Sequence, residues 1–398
     1  MKKTDKINHK METKEPKWWI WIFLGLAASI FLALPLMSLN SGNSGDEDAW
    51  QYPHAERIYN YYTTFGADTT YRTVPEMNPY GMWFEVAGVA IVKMFNIDDY
   101  QTTRHIMNAL IGAIAILFAG LFAKNCGKSW RTGSIVLILL FLSPNFLGHS
   151  FNNPKDIPFA AMFMVALYYI HKFILEYPKF SIKTTIKLAL SLGLATGIRV
   201  GGLLLFAYLG MFIACFYLFK NKPREYFSKT NIRILIRLCL YFLCTVSGAF
   251  AVTILVHPYI MANPFVNTLK AFADMSHFSV GIRQLFEGAM QWSDYLPWYY
   301  TPKLILMTIP VAVIAGLILF FTLVWKDKKN YFSYFIVFFA FFFPIFWIVY
   351  TNANVYGGWR HSLFAYPPMV VAAGLGFNLA IEWVSQKLTR KNENPEKL

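Results

Sequence analysis

The sequence predicts an all-α polytopic membrane protein, and three observations lead to this fold class. The 398-residue chain is 56% hydrophobic and only 15% charged, with a mean hydropathy of +0.39. Long apolar runs recur along the chain. The first, Trp18 to Met37, has about 20 uncharged residues, and a helix of that length crosses the roughly 30 Å hydrocarbon core of a bilayer. Basic residues gather between alternate runs, as they do in cytoplasmic loops. This composition is not that of a soluble protein.

The apolar runs predict about ten transmembrane helices in a single membrane domain, residues 18–386. An even number of helices returns the chain to the side on which it began. The basic segments 1–17 and 387–398 indicate that this side is the cytoplasm. The runs lie at about 18–38, 104–123, 132–148, 157–174, 184–198, 200–219, 234–255, 304–325, 333–350 and 367–386.

Two segments predicted to face outward, at about 39–103 and 257–303, are much longer than most loops, which have about 4 to 6 residues. Each contains an amphipathic, aromatic stretch, Tyr80–Phe95 in the first loop and Leu285–Tyr300 in the second. We predict that both stretches are helices lying in the outer membrane interface. Such long ordered loops are typical of functional regions.

The net charge of +14 does not indicate nucleic-acid binding. Most of the 36 Lys and Arg residues fall in predicted cytoplasmic segments, where they orient the chain and meet anionic lipid headgroups. No nucleotide-binding motif is present, and His54, His257 and His361 are too scattered to predict a metal site. The sequence therefore implies no cofactor, although a divalent metal ion is left open.

Candidate catalytic carboxylates lie on the predicted outer side. Asp46 and Glu47 follow the first apolar run, and Asp156 ends a very short loop, next to Lys155, between the third and fourth runs. An ionised carboxylate can accept a proton from a hydroxyl or hold a sugar hydroxyl. From spacing alone, Asp46 and Glu47 could equally be solvated loop charges, and Asp156 could simply cap a helix.

Cationic candidates lie on the same side. Arg199 follows Gly197 near the end of the fifth run, where a permanent cation must find water, a counter-ion or a phosphate. Arg360 and His361 precede the last run and could contact a phosphate or a sugar. The alternatives are a snorkelling arginine at Arg199 and simple interfacial anchoring at Arg360 and His361.

Together these features resemble a known family. The acidic pair Asp46–Glu47, the stretch Asn78–Trp83, the aspartate Asp156 and the segment Gly193–Arg199 look like the C-type membrane glycosyltransferases. Within these, the sequence is most similar to glycosyltransferase family 39, which includes the protein O-mannosyltransferases and lipid A aminoarabinose transferases. The resemblance covers most of the first 220 residues.

The resemblance implies a function and roles for particular residues. Asp46 would deprotonate the acceptor hydroxyl while the sugar carbon is attacked with inversion. Asp156 would orient the acceptor or donor, and Arg199 would stabilise the departing lipid phosphate. The remaining expected substrate-binding residues are Glu47, Tyr80, Lys155, Arg360 and His361.

The donor implied is a polyprenyl-phosphate sugar, carrying mannose or a related hexose or pentose. The acceptor is left open between a protein, a lipid and a glycan, and so is the oligomeric state. The expected location is a bacterial inner membrane with the active site outside the cytoplasm. The competing hypothesis is a transporter or flippase of a lipid-linked substrate, but such proteins place ionisable residues at mid-membrane and show repeated halves, and neither feature is evident here.

Overall fold

The computed structural model describes residues 15–276 and 281–393, so most of the predicted cytoplasmic N-terminus and the last five residues lie outside the described residues. The described chain is mainly helical. The shorter helices are α2 (Tyr52–Thr63), α3 (Trp83–Phe95), α8 (Ile182–Ile198), α11 (Pro258–Ala262) and α12 (Pro264–Ser276). The longer ones are α1 (Trp18–Ser38), α4 (Tyr100–Gly127), α7 (Asp156–Leu175), α9 (Leu203–Lys220), α10 (Lys229–Val256), α15 (Tyr331–Tyr350) and α16 (Tyr366–Glu393).

Within the described residues, seven helices are long and apolar enough to cross a membrane, and two bent pairs raise the number to nine. The pairs are α5 (Trp130–Phe141) with α6 (Pro144–Asn152), bent by 69°, and α13 (Tyr300–Thr308) with α14 (Val311–Leu323), bent by 111°. The predicted fifth span corresponds to α8, which has only 17 residues. The polytopic α-helical class is confirmed, and the number ten stays a prediction.

Prolines explain where the two pairs bend. Pro144 is the first residue of α6, and Pro310 directly precedes α14. Proline cannot donate a helical hydrogen bond and disfavours helical geometry in the residue before it, so α5 and α13 end shortly before these positions.

The core is built around α4, α7 and α16, whose apolar windows are the most buried of the membrane helices. Small residues permit this close packing: α4 buries Ala109, Ala113 and Ala119 completely. At the α14–α16 crossing, a Cβ on Gly376 would collide with the carbonyl oxygen of Gly316. Small residues at such interfaces let helix backbones approach closely, which favours helix association in lipid.

The first long loop folds over one end of the bundle. A π-helical turn, Glu47–Gln51, leads into α2, and the predicted helix Tyr80–Phe95 is present as α3 from Trp83 onward. Met82 has a left-handed backbone conformation, with a φ of 56°, so helical geometry begins only after it, at α3. The Trp83 indole Nε1 donates a hydrogen bond of 2.8 Å to the Leu194 carbonyl of α8, so α3 is attached to the bundle.

The prediction of a helix over Leu285–Tyr300 is wrong. This part of the second loop forms an antiparallel hairpin of β1 (Arg283–Phe286) and β2 (Ala289–Trp292). Its two turn residues, Glu287 and Gly288, both have positive φ, of 53° and 79°, as a type I′ hairpin turn requires. The amphipathic helix of this loop is instead α12, which was not predicted from the sequence.

Candidate functional site

Asp156 and Arg199 form a buried ion pair at the beginning of α7 and the end of α8. Asp156 is the first residue of α7, and its Oδ1 lies 2.7 Å from Nη2 of Arg199. The Asn153 side-chain amide donates to the other carboxylate oxygen at 2.9 Å. Asp156 is 2% exposed and Arg199 8%. The aspartate therefore holds the arginine in place and is itself shielded from solvent.

A break between two helices aims Arg199 at this carboxylate. Its backbone is extended after α8, and a single 3₁₀ turn, Val200–Gly202, separates it from α9. Gly193 and Gly197 bring α8 against α10, since a Cβ on either would collide with backbone or side-chain atoms there. These glycines therefore serve close helix packing.

The Tyr80 ring is close to two cations, Lys155 and Arg199. The Lys155 ammonium lies 4.8 Å from the centre of the Tyr80 ring, and the Arg199 guanidinium carbon 5.9 Å from it. The stretch before α3 is pressed against α8 at this point, because a Cβ on Gly81 would collide with the carbonyl oxygen of Gly197. Burial raises the pKa of the Tyr80 phenol, so its hydroxyl is neutral and can donate a hydrogen bond.

Asp46 approaches the same region from the first loop. Its Oδ2 lies 3.3 Å from Nη1 of Arg360, and its side chain is 42% exposed. Arg360 begins the 3₁₀ turn that leads into α16, and its guanidinium lies 4.8 Å from the centre of the Tyr356 ring. His361 meets the same ring edge-on at 4.6 Å. Asp46 is therefore a carboxylate that solvent and ligands can reach.

The pKa of Lys155 reflects the charged groups that surround it. Burial and the neighbouring Arg199 lower the pKa of the Lys155 ammonium from its usual value to about 8. The charges that act on this pKa are those of Arg199, Asp156, Arg360 and Asp46. The structure thus brings together two carboxylates and three cations from four separate parts of the chain.

Glu47 does not join this group, although it is adjacent to Asp46. Its carboxylate points inward, is 1% exposed, and lies 3.3 Å from Nε2 of His105 and 3.9 Å from Nη2 of Arg104. Arg104 in turn pairs with Glu85 at 2.9 Å. Glu85, Arg104 and His105 were not predicted from the sequence. The feature of the sequence that could have identified them is that they are ionisable residues next to or within apolar helical segments, where such residues need a partner.

Metal binding was left open by the sequence. Within residues 15–276 and 281–393, no three His, Cys, Asp or Glu side chains lie close enough together to hold an ion. His54 and His257 are both buried, and burial lowers the pKa of each imidazole to about 4.

Comparisons with known proteins identify the fold. Neither the protein-family models nor the curated proteins give a match to the sequence. The structure, however, is similar to ArnT from Cupriavidus metallidurans bound to undecaprenyl phosphate, with a TM-score of 0.57 and 15% identity, covering 90% of this chain and 60% of that one. The apo form of ArnT gives a TM-score of 0.56 at 13% identity over 90% and 59% of the two chains.

A third similar structure is the archaeal oligosaccharyltransferase AglB from Archaeoglobus fulgidus in complex with an inhibitory peptide and a dolichol-phosphate. Its TM-score is 0.52 at 13% identity, covering 96% of this chain and 52% of that one. The chain thus spans about 60% of the length of the ArnT structures. It has the C-type fold of membrane glycosyltransferases, which confirms the fold implied by the sequence, while family 39 stays a prediction.

Proposed function

We propose that this protein is an integral membrane glycosyltransferase that moves a sugar from a polyprenyl-phosphate donor to an acceptor hydroxyl. The observation that carries the proposal is the ion pair of the accessible carboxylate Asp46 with Arg360, in a group where Lys155 feels the charges of Asp46, Arg360 and Arg199. A carboxylate to take a proton and cations to receive a leaving phosphate are what such a transfer needs. The lipid phosphates named for ArnT and AglB support a donor of this class.

Asp46 acts as the general base. The acceptor oxygen forms a bond to the anomeric carbon as its proton passes to an Asp46 carboxylate oxygen. The bond from that carbon to the phosphate oxygen breaks, and its electron pair leaves with the lipid phosphate. Because attack and departure occur on opposite faces, the anomeric configuration is inverted. Asp46 suits this role because its side chain is 42% exposed, whereas the Asp156 carboxylate is buried against Arg199.

The cations receive the leaving group. Arg199 offers a guanidinium fork, one end of which is held by Asp156, and Lys155 lies near the same Tyr80 ring. Charge-assisted hydrogen bonds from these groups strengthen as negative charge develops on the departing phosphate oxygen. Asp156 contributes by orienting Arg199, and the Tyr80 ring offers both cations a cation–π contact.

The proposal includes the orientation expected from the sequence, with both termini in the cytoplasm of a bacterial inner membrane and the active site on the opposite face. Its support is the distribution of basic residues, which favours the cytoplasmic side for the segments around Lys17 and Lys387. The sugar expected first is mannose, then related hexoses and pentoses.

A transfer assay with a panel of donors tests the proposal. Purified protein in liposomes is given radiolabelled sugar on polyprenyl phosphate, mannose first, with membrane extract as the source of acceptor. Label should move from the lipid fraction to a product, and isolating that product identifies the acceptor as protein, lipid or glycan. Failure of transfer with every donor, together with movement of the labelled lipid across the bilayer, would overturn the proposal in favour of a flippase.

A further inference from the structure

Four titratable side chains that the proposed chemistry does not use are buried together beside Asp46. We refer to Glu47, Glu85, Arg104 and His105 as the ion quartet, and each is 3% exposed or less. Arg104 donates a hydrogen bond of 3.0 Å from Nε to Oε2 of Glu85, and its Nη2 lies 2.9 Å from the same oxygen as an ion pair. The Glu47 carboxylate lies 3.9 Å from Nη2 of Arg104 and 3.3 Å from Nε2 of His105.

The ion quartet joins three parts of the chain. Glu47 begins the π-helical turn of the first loop, Glu85 lies in the first turn of α3, and Arg104 and His105 lie near the start of the core helix α4. Charges buried this deeply are tolerated only when their partners stay in place, because separating them leaves an uncompensated charge in a dry interior. The ion quartet therefore fixes Glu47 relative to α4.

The same groups also fix the backbone before Asp46. The Ser44 amide donates to Oε2 of Glu47 at 2.6 Å, and the Ser41 hydroxyl lies 2.8 Å from Nδ1 of His105. Asp46 lies between these anchored positions. Its own 3.3 Å contact with Arg360 is long and partly exposed, and contacts of that kind hold a side chain only weakly.

We propose that the ion quartet positions the Asp46 carboxylate for proton abstraction, with Glu47 as the positioning residue next to the base. The inference rests on the proposed function, because it takes Asp46 to be that base. Misplacing a reacting group by about 1 Å can lower a rate roughly a hundredfold. A loop residue that is 42% exposed needs such an anchor, and the ion quartet supplies it through the backbone.

A double-mutant cycle between Glu47 and Asp46 tests the inference. Glu47→Gln keeps the size of the side chain and an acceptor for the Ser44 amide but removes the charge. We expect kcat for sugar transfer to fall roughly 10- to 100-fold, with the donor KM within about twofold of wild type. In the Asp46→Asn background, the same Glu47→Gln change should produce no further fall in residual transfer.

Two further variants separate positioning from general damage. Ser41→Ala removes one tie to His105 without leaving a charge unpaired, so it should fold normally and lower kcat in the same sense by a smaller factor. Glu56→Gln is the matched control, since Glu56 is an exposed carboxylate of the same loop paired with Lys93 at 2.7 Å. This control should keep the kcat of the wild type.

The outcomes distinguish this inference from the proposed function. Wild-type transfer by Asp46→Asn would remove the base assignment and the positioning role with it. Inactive Asp46→Asn with normal kcat in both Glu47→Gln and Ser41→Ala would overturn only the positioning role. An equal fall caused by Glu47→Gln in both backgrounds would also overturn it, because the ion quartet would then act independently of Asp46.

Discussion

Replacing Arg199 by methionine is expected to destabilise the protein and to weaken donor binding, and a second substitution separates these two effects. Arg199 is 8% exposed and pairs with a carboxylate that is 2% exposed, at 2.7 Å. Methionine fills similar volume without charge, so the main consequence of Arg199→Met is a buried Asp156 that has lost its principal counter-ion.

The expected loss of stability follows from that geometry. Removing one partner of a buried ion pair costs about 3–5 kcal/mol of unfolding free energy. The low end, about 3 kcal/mol, applies here because the Asn153 amide still donates to Asp156 and the Lys155 charge still acts on it. Neutralising the carboxylate in Arg199→Met/Asp156→Asn should recover most of this loss. Donor affinity should stay roughly tenfold to a hundredfold weaker in both variants, as expected for a lost charge-assisted contact to phosphate.

The assay measures thermal unfolding of purified protein in detergent together with the donor KM in liposomes. The single variant should unfold at a clearly lower temperature than wild type, and the double variant close to it, while both show the raised KM. Wild-type stability in the single variant would refute the buried pair. A normal KM in the double variant would refute contact between Arg199 and the lipid phosphate.

Further changes test the remaining parts of the site and fold. Lys155 loses its proton as pH rises through about 8, so kcat/KM for the donor should fall above that pH in wild type and stay level in Lys155→Arg, which keeps its charge; a pH profile of transfer measures this. Gly81→Ala should lower the unfolding temperature and transfer by forcing a methyl group onto the Gly197 carbonyl, whereas Gly148→Ala, where the added methyl group has open space within α6, should lower neither. Gly288→Ala strains the hairpin turn by about 1 kcal/mol and should increase protease cleavage there without lowering transfer, and unchanged cleavage would count against the type I′ turn.

Hydrophobic runs and charge distribution were sufficient to predict the membrane class and most helix positions. The runs at about 18–38 and 157–174 match α1 and α7 almost to the residue. Such long apolar segments have one stable solution in a bilayer, since their backbone groups must be paired within a helix. The hairpin was not predicted because a short amphipathic stretch fits a helix or a strand equally well. The signal that would have favoured a hairpin was Gly288, a residue that readily takes the positive φ of a hairpin turn.

Part of the candidate site was predictable from the positions of the loops. Loop position relative to the membrane was enough to group Asp46, Asp156 and Arg199 on one side, and the structure brings them near Lys155. The direction of Glu47 was not predictable, because it depends on Arg104 and His105, which are distant in sequence and become its neighbours only after folding. Neighbouring acids in a loop can therefore serve separate roles, one exposed and one buried.

Comparing Asp46→Asn with Asp48→Asn in the sugar-transfer assay tests the central claim most directly. Both variants remove one negative charge from the same loop, and Asp48 makes its contacts with Asn43, Tyr100 and Gln101 on the exposed side. At equal protein amount and equal unfolding temperature, transfer should collapse in Asp46→Asn and continue in Asp48→Asn, with the product carrying the inverted anomeric configuration. Equal transfer by Asp46→Asn and wild type, or a product of retained configuration, would contradict the assignment of Asp46 as the base.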